Sequence, residues 1–282
     1  MKLNRILFAL AALSMFAVAS CKKSKVDNSE IENTFELSAN SGMAENLTQD
    51  AQEVLNEAAK DNGIAGVGRP YDINETTGIT SCATITVIPL VGFPKNIVID
   101  FGTAGCTSPN GITRRGKILV NLTDSLRRPG SVATMNFDNY TVGIHKKEGT
   151  ITWTNTSTAS QKSWRRVCVN GKITNTVTAN YWLHSGTQDI VQTAGANTPN
   201  VLIDDIFSIT GNRTVTKANG TTRVGTIILP LQKKTSCDNI DKGTYQIQGP
   251  NHVALIDFGN GVCDDQATIS IDGNAPRTIT LR

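Results

Sequence analysis

Residues that could do acid–base or nucleophilic chemistry are sparse in this chain. The best catalytic grouping is His184 next to Ser185, with Asp189 close behind, because a histidine that activates a serine needs a carboxylate to orient it. Such triads are recognised by geometry rather than by adjacency, so the grouping alone does not predict a hydrolase. The sequence has no Gly-x-Ser-x-Gly motif, no His-Glu-x-x-His motif and no phosphate-binding loop. We therefore assign no catalytic residue and predict no cofactor.

Aromatic side chains within strand-like segments are the best candidates for ligand binding. Trp153, Trp164, Tyr181 and Trp182 could stack on sugars, although aromatic residues on strands more often belong to the core. Tyr181 and Trp182 are neighbours, so in a strand only one of them can face inward and the other must be exposed or packed at an edge. We take Tyr181, Trp182 and Trp153 as the candidate binding residues, with a glycan as the candidate ligand.

The start of the chain has the features of a targeting signal. Lys2 and Arg5 precede an uncharged, mostly apolar run at residues 6–18, which is too short to span a bilayer but long enough for a signal peptide. The sequence Val-Ala-Ser then precedes Cys21, and this pattern resembles the lipobox of bacterial lipoproteins. The resemblance implies that residues 1–20 are a cleaved signal peptide and that Cys21 is lipidated. Several acyl chains together anchor a protein durably, whereas one does so only marginally.

Two details bear on this resemblance. An ordinary secretory signal cleaved near Ala19 is the alternative, with Cys21 merely adjacent. Lys22 and Lys23 after the cysteine are similar to the Cys-Lys-Lys starts of Bacteroidetes outer-membrane lipoproteins. This likeness implies a protein held in the outer membrane by its lipid, without indicating whether it faces the periplasm or the cell surface. A nucleic-acid partner is not expected there.

One further motif concerns modification. Asp124-Ser125-Leu126 resembles the three-residue O-glycosylation signal of Bacteroidetes envelope proteins. The resemblance implies that Ser125 is the acceptor. An acceptor hydroxyl must be exposed, and the Pro-Gly step that follows predicts a loop.

A short unit that contains a cysteine occurs twice. Ile-Asp-Phe-Gly begins at Ile99 and again at Ile256, and a cysteine lies six residues after the aspartate in both copies. Such a duplication predicts two related units, at about 79–122 and 235–282. We expect the phenylalanine of each copy to be buried and the glycine to lie at a turn, with the aspartate hydrogen-bonded to that turn.

The cysteines also predict two disulfide bonds. A cell-envelope location permits disulfides. Four cysteines allow three pairings, and the repeat selects Cys82–Cys106 and Cys237–Cys263. Cys168 lies between two valines and is expected to be a buried free thiol. No metal site is predicted, because the chain has no Cys-x-x-Cys motif and only three histidines.

Charge and polarity divide the chain after its first 20 residues. Residues 22–63 carry four lysines and nine acidic residues, a net charge of −5, whereas residues 64–282 have a net charge of +6. The polar segment 21–42 is predicted to be a flexible tether. Residues 43–63 show apolar side chains at helical spacing and predict one α-helix. We expect this helix to pack against the following domain, the alternative being that it docks a partner.

Residues 64–282 have the pattern of a β domain. Residues 83–88, 117–122 and 150–154 alternate between apolar and polar, and turn signals recur at short intervals. No segment long enough for a helical crossover separates the strands, which argues against parallel pairing. The predicted fold is all-β, an antiparallel β-sandwich or a long meandering sheet with an internal duplication, preceded by one N-terminal α-helix.

Composition restricts the function classes. The 282 residues are 39% hydrophobic, with a formal net charge of +3, which argues against a multi-span membrane protein and a strongly basic nucleic-acid binder. We predict a membrane-anchored cell-envelope lipoprotein, a non-enzymatic binding or structural module whose partner is a glycan or an envelope protein. The alternatives are a hydrolase that acts on envelope glycans or lipids, and a lipid carrier in which a curved sheet encloses an apolar groove.

Overall fold

A computed structural model describes residues 28–64, 78–199 and 201–281. The signal peptide, the lipobox and Cys21 lie outside these residues. One helix, α1 (Asn28–Asp61), precedes fourteen strands. The strands are β1 Thr84–Ile88, β2 Lys95–Asp100, β3 Cys106–Thr107, β4 Thr113–Leu122, β5 Val132–Val142, β6 His145–Asn155, β7 Ser163–Asn175, β8 Tyr181–Ala194, β9 Ile206–Lys217, β10 Thr222–Lys234, β11 Lys242–Gln248, β12 Val253–Asn260, β13 Gln266–Ile271 and β14 Arg277–Thr280. No helix in the described residues is both long and apolar enough to cross a membrane.

All fourteen strands belong to one antiparallel sheet. Successive strands are neighbours from β1 to β14, except that the two-residue β3 pairs with β4 beside the main path. The sheet is therefore a meander, and its two end strands do not pair with each other. The predicted all-β fold with one N-terminal helix is confirmed. Of the two predicted arrangements, the described residues form the meandering sheet.

Helix α1 lies inside the curve of this sheet. Residues 44–52 are all buried, and nine consecutive residues cover every face of an α-helix because it turns once every 3.6 residues. Leu47 and Leu55 belong to one core with inward side chains of the sheet such as Ile99 and Ile256. The prediction that the helix packs against the β domain is confirmed.

The helix begins fifteen residues earlier than predicted, so the prediction of a flexible tether is wrong for residues 28–42. The polar side chains that suggested a tether are buried, among them Thr34 and Ser38. Arg223 on β10 donates from Nε to Thr34 Oγ1 at 3.2 Å, and the Ser38 hydroxyl donates to the Thr34 carbonyl at 2.7 Å. Polar side chains can be buried when they have hydrogen-bonding partners, and here Arg223 of the sheet and a carbonyl of the helix itself supply them.

Both predicted disulfide bonds are present. Cys82 and Cys106 are joined with their Cα atoms 5.7 Å apart, and Cys237 and Cys263 with theirs 5.2 Å apart. Cys168 is free and buried, as predicted. Each bridge ties the segment before a strand hairpin, β1–β2 or β11–β12, to the segment after it.

The Asp-Phe-Gly step of each repeat has the same glycine conformation and the same hydrogen bond. Gly102 and Gly259 have φ angles of +70° and +94°, which glycine adopts at no steric cost. Their N–H groups donate to Oδ1 of the aspartate two residues earlier, at 2.8 and 2.9 Å. Phe101 and Phe258 are both buried. The burial of both phenylalanines and the aspartate hydrogen bonds are confirmed. Gly102 lies just after β2 as expected, whereas Gly259 lies within β12, where the register with β11 shifts, and not at a turn.

Candidate functional site

A layer of charged side chains separates α1 from the inner face of the sheet. The helix contributes three carboxylates, and five cations on the strands surround them. The carboxylates are Glu45, Asp50 and Glu53, and the cations are Arg114, Lys147, Arg166, Arg213 and Lys233. The uneven charge along the sequence therefore reflects an acidic helix within a basic sheet.

Glu45 lies at the centre of this layer. Its Oε1 pairs with Arg166 and its Oε2 lies 2.7 Å from Nη2 of Arg213. The side-chain amide of Gln188 donates to the same Oε2. Burial would raise the pKa of Glu45, but the two guanidinium groups hold it well below its usual range. The carboxylate is therefore ionised and matched by opposite charge on the sheet.

Two neighbouring contacts continue the layer along the helix. Arg114 donates to both oxygens of Asp50, at 3.1 and 2.5 Å, and the Tyr140 hydroxyl donates to one of them at 3.2 Å. Lys147 donates from Nζ to Thr48 Oγ1 at 3.0 Å. Burial lowers the pKa of Lys147 to about 8. These groups are fixed by hydrogen bonds and packing, which is typical of a structural network.

His184, the histidine of the predicted catalytic grouping, is only 3% exposed and lies within this layer. Nη1 of Arg213 donates to its Nδ1 at 2.6 Å, and the Cys168 sulfur is 3.6 Å from the same atom. Arginine can only donate, so Nδ1 carries no proton and the neutral ring is protonated on Nε2. Burial and the nearby cations Lys147, Arg213 and Arg166 lower the pKa of His184 well below its usual value.

The structure does not bring the three residues of that grouping together. His184 points inward, whereas Ser185 follows it on the strand and so faces the other side of the sheet. Asp189 is half-exposed and forms an ion pair with Arg165, with Oδ1 2.8 Å from Nε. Their positions therefore show no triad geometry.

An aromatic cavity lies near the C-terminal end of α1. Trp153 on β6, Trp164 on β7 and Phe207 on β9 form its aromatic wall, with ring centroids 6.1 Å apart from one to the next. Pro199 and Leu202, from the β8–β9 connection, add apolar contacts. The cavity holds about 40 Å³ of free space, enough for a few water molecules. A larger ligand would therefore have to engage its mouth, where Trp164 and Phe207 are partly exposed.

Polar groups converge on this cavity as well. Lys60, Arg127, Gln192 and Asp205 line it, and Gln192 donates from Nε2 to Asp205 Oδ1 at 2.7 Å. Burial raises the pKa of Asp205 to about 7, against the opposing effect of Arg127. A concave site with apolar walls and a few convergent polar groups is the usual form of a ligand-binding pocket.

The three predicted binding aromatics lie in different environments. Trp182 is buried and Tyr181 is exposed, so of these two neighbours one faces inward and one outward, as expected. The ammonium of Lys172 lies 4.7 Å from the centroid of the Tyr181 ring. Trp153 lines the cavity and is buried. Of the three predicted residues, Trp153 therefore lines the aromatic cavity.

Ser125 does not have the exposure that an acceptor of glycosylation needs, and that expectation is wrong. Its Oγ is buried and makes no hydrogen bond with the described residues. Leu126 beside it is buried and lines the aromatic cavity, and Asp124 accepts a hydrogen bond from the Ser125 backbone N–H at 2.7 Å. The loop folds back against the domain, so the hydroxyl oxygen of this half-buried serine is shielded from solvent.

One group of side chains has the spacing of metal ligands. The sulfur atoms of Cys237 and Cys263 lie close to an oxygen of Asp241. The two sulfurs are joined in a disulfide, however, and a metal would need them as thiolates. In the described residues this group is better explained as a disulfide beside a buried carboxylate, which also pairs with Lys234 at 3.0 Å.

The sequence contains only part of the signal for the aromatic cavity. Trp153 pairs with Arg166 and Asn155 with Trp164 across the β6–β7 hairpin. Because side chains two residues apart in a strand share a face, the sequence and this pairing together predict that both tryptophans lie on one face of the sheet. Phe207 and Asp205 reach the site from a later part of the chain, and no local pattern indicates that.

Comparison with known proteins adds no family. No family model matches this chain, and the comparisons with curated proteins and with solved structures found no match. Function is therefore argued from the geometry of the molecule.

Proposed function

We propose that this protein is an outer-membrane lipoprotein, anchored through Cys21, whose β domain is a non-enzymatic binding module for glycans. The observation that carries the proposal is the aromatic wall of Trp153, Trp164 and Phe207 beside the polar groups of Arg127 and Gln192. A sugar ring presents C–H groups to an aromatic face and hydroxyls to polar neighbours, and the mouth of the cavity offers both.

The acid–base inventory favours binding over hydrolysis. Glycosidases generally need two carboxyl groups that flank the scissile bond, and Asp205 is the one carboxylate among the described residues that line the cavity. His184, the other candidate acid–base group, is sealed between α1 and the sheet with a lowered pKa. Neither arrangement supports a hydrolase.

The position of α1 argues against a lipid carrier. A carrier needs an unfilled apolar interior, whereas α1 fills the curve of this sheet and is bordered by charged side chains. A groove that could take an acyl chain would require α1 to leave, and that would expose Glu45 together with the two arginines that neutralise it.

A binding experiment with matched variants tests the proposal. Trp164→Ala removes the partly exposed wall of the cavity, and Tyr181→Ala removes an exposed aromatic on the outer face as a control. We expect oligosaccharides released from outer-membrane glycans to bind the wild type and the Tyr181→Ala variant. Trp164→Ala should bind at least tenfold more weakly, because truncating a tryptophan that anchors a ligand typically costs about 2 kcal/mol or more, and about 1.4 kcal/mol is tenfold in affinity. Tryptophan fluorescence and calorimetry provide the affinities.

Two outcomes would contradict the proposal. Equal affinity of the Trp164→Ala variant and the wild type would exclude the aromatic cavity as the site. Loss of binding in Tyr181→Ala alone would move the site to the outer face of β8.

A further inference from the structure

The strand at the start of the sheet, β1, has a free edge. It pairs only with β2, and no other described strand lies on its other side. The hydrogen bonds of β2 show which backbone groups of β1 face that edge. The N–H of Phe101, just after β2, donates to the Gly116 carbonyl on the β4 side. Because backbone groups point to alternate sides along a strand, those of Asp100, Val98 and Asn96 point toward β1.

The partners of those three residues are Thr84, Thr86 and Ile88, which therefore direct their backbone groups toward β2. Ile85 and Val87 direct theirs outward. The free edge consequently presents two N–H donors and two carbonyl acceptors, spaced as in an antiparallel ladder. Unpaired groups of this kind are a template for another strand.

The β1 edge lacks the usual protection against pairing. Proteins shield edge strands with charge, proline or bulges, and the opposite edge strand, β14, begins with Arg277. Strand β1 reads Thr-Ile-Thr-Val-Ile, without a charge, and its register with β2 contains no bulge. The loop that follows is apolar and protrudes, with Leu90 86% and Val91 87% exposed. The nearby charge of Lys95 is drawn beneath the loop, where Nζ donates to the carbonyls of Pro89 and Leu90 at 2.8 and 3.0 Å.

We propose that two copies of this chain pair through β1, antiparallel, about a two-fold axis at Thr86. In that register Thr84 lies opposite Ile88 of the other copy, Ile85 opposite Val87, and Thr86 opposite itself. The four outward groups of each copy are then satisfied by four interchain hydrogen bonds, made by Ile85 and Val87.

The strand is complementary to itself under this symmetry. Every cross-strand pair joins β-branched residues and none brings like charges together, the combination that stabilises adjacent strands. The apolar loop that follows Ile88 begins beside Thr84, the first residue of β1 in the other copy. A second copy is an isologous partner, the commonest kind in symmetric dimers.

A cysteine at the symmetry axis tests the proposal. Because the backbone groups of Thr86 point away from the free edge, the two Thr86 residues form a non-hydrogen-bonded pair with Cα atoms about 4.5 Å apart, within the range for a disulfide. We expect Thr86→Cys to form a covalent dimer under mild oxidation of the full chain in detergent solution. Thr84→Cys, equally exposed on the same strand, should not, because four residues of strand at about 3.4 Å each separate its two copies.

Sedimentation velocity provides an independent readout. Wild type should sediment as a dimer, and Thr86→Lys, which brings two ammonium groups together at the axis, should sediment as a folded monomer with an unchanged circular dichroism spectrum. A monomeric wild type would overturn the proposal. So would equal crosslinking by Thr86→Cys and Thr84→Cys. A crosslink that requires Thr86→Cys together with Thr278→Cys would show that β1 pairs with β14 of the next copy, and would exclude the two-fold arrangement.

Discussion

At the scale of single residues, the buried ion pairs between α1 and the sheet determine most of what can be tested. Glu45 neutralises two arginines that have no access to water. Removing one member of such a group is far more costly than its net contribution, because the remaining charges stay buried and unmatched. The sequence indicated acidic and basic regions but not that they face each other.

Glu45→Gln should therefore lower the free energy of unfolding by about 3–5 kcal/mol. The variant keeps the size of the side chain and leaves Arg166 and Arg213 unneutralised. Glu36→Gln is the matched control, since Glu36 pairs with Lys217 while 55% exposed and such a pair contributes about 0–1 kcal/mol. Urea unfolding of both variants provides the comparison. If both substitutions lowered the free energy of unfolding by the same small amount, Glu45 would be solvated and the buried ion pairs would be excluded.

Asp205 makes the free energy of unfolding fall as the pH rises, whereas a salt-bridged acid makes it rise. Its folded pKa of about 7 is above the ordinary value of 3.8 because burial disfavours the charged form. The stability that it contributes is fully present below about pH 4 and is lost as the pH rises through 7.

Relative to Asp205→Asn, the wild type should therefore lose on the order of 2–4 kcal/mol of unfolding free energy between pH 4 and pH 8. Taking the difference between the two proteins cancels the groups that they share. Asp265→Asn, at an exposed carboxylate, is the control. A difference between wild type and Asp205→Asn that stays constant over this range would mean that Asp205 is ionised throughout in the folded state.

At the scale of secondary structure, the sequence predicted strands better than the helix. Alternation identified the strands because one face of each is buried and the other is less buried, as in β4 and β6. The same reasoning recovered the second half of α1, whose buried side chains include apolar residues at helical spacing. It missed residues 28–42, because amphipathic spacing indicates a helix only when the buried face is apolar, and here Thr34 and Ser38 are among the buried side chains.

The duplication was predictable for a different reason. Cysteine pairing, the buried phenylalanine and the glycine with a positive φ are local consequences of a repeated motif. The aromatic cavity was only partly predictable. The hairpin that aligns Trp153 with Trp164 is local in sequence, whereas Asp205 and Phe207 are distant in sequence and are brought to the cavity by the fold of the sheet.

At the scale of the whole molecule, the sheet curls far enough for its two cysteine units to meet. Asn110, in the loop after β3, donates from Nδ2 to Oδ1 of Asp238, in the loop before β11, at 2.7 Å. The polar helix is held in that curl, and its first residue, Asn28, lies seven positions after Cys21. A lipid on Cys21 would thus be joined to the best-buried element of the domain.

Cys21→Ser tests the proposed anchor. The serine variant has no thiol to acylate, so we expect it to leave the membrane fraction, whereas Ser20→Ala should remain there because a small residue still precedes the cysteine. Fractionation and mass spectrometry of the mature protein give the readout. A wild type without lipid would exclude the lipoprotein assignment.

Hydrogen exchange of α1 tests the central claim of this account, that an acidic helix forms the core of a basic, curled sheet. Amides between residues 37 and 55 should exchange only through global unfolding, as slowly as those of β6 to β9. In Glu45→Gln the same amides should exchange faster, in step with the loss of stability. Rapid exchange of these amides in wild type while the strands stay protected would show that α1 lies outside the core, and would contradict the account.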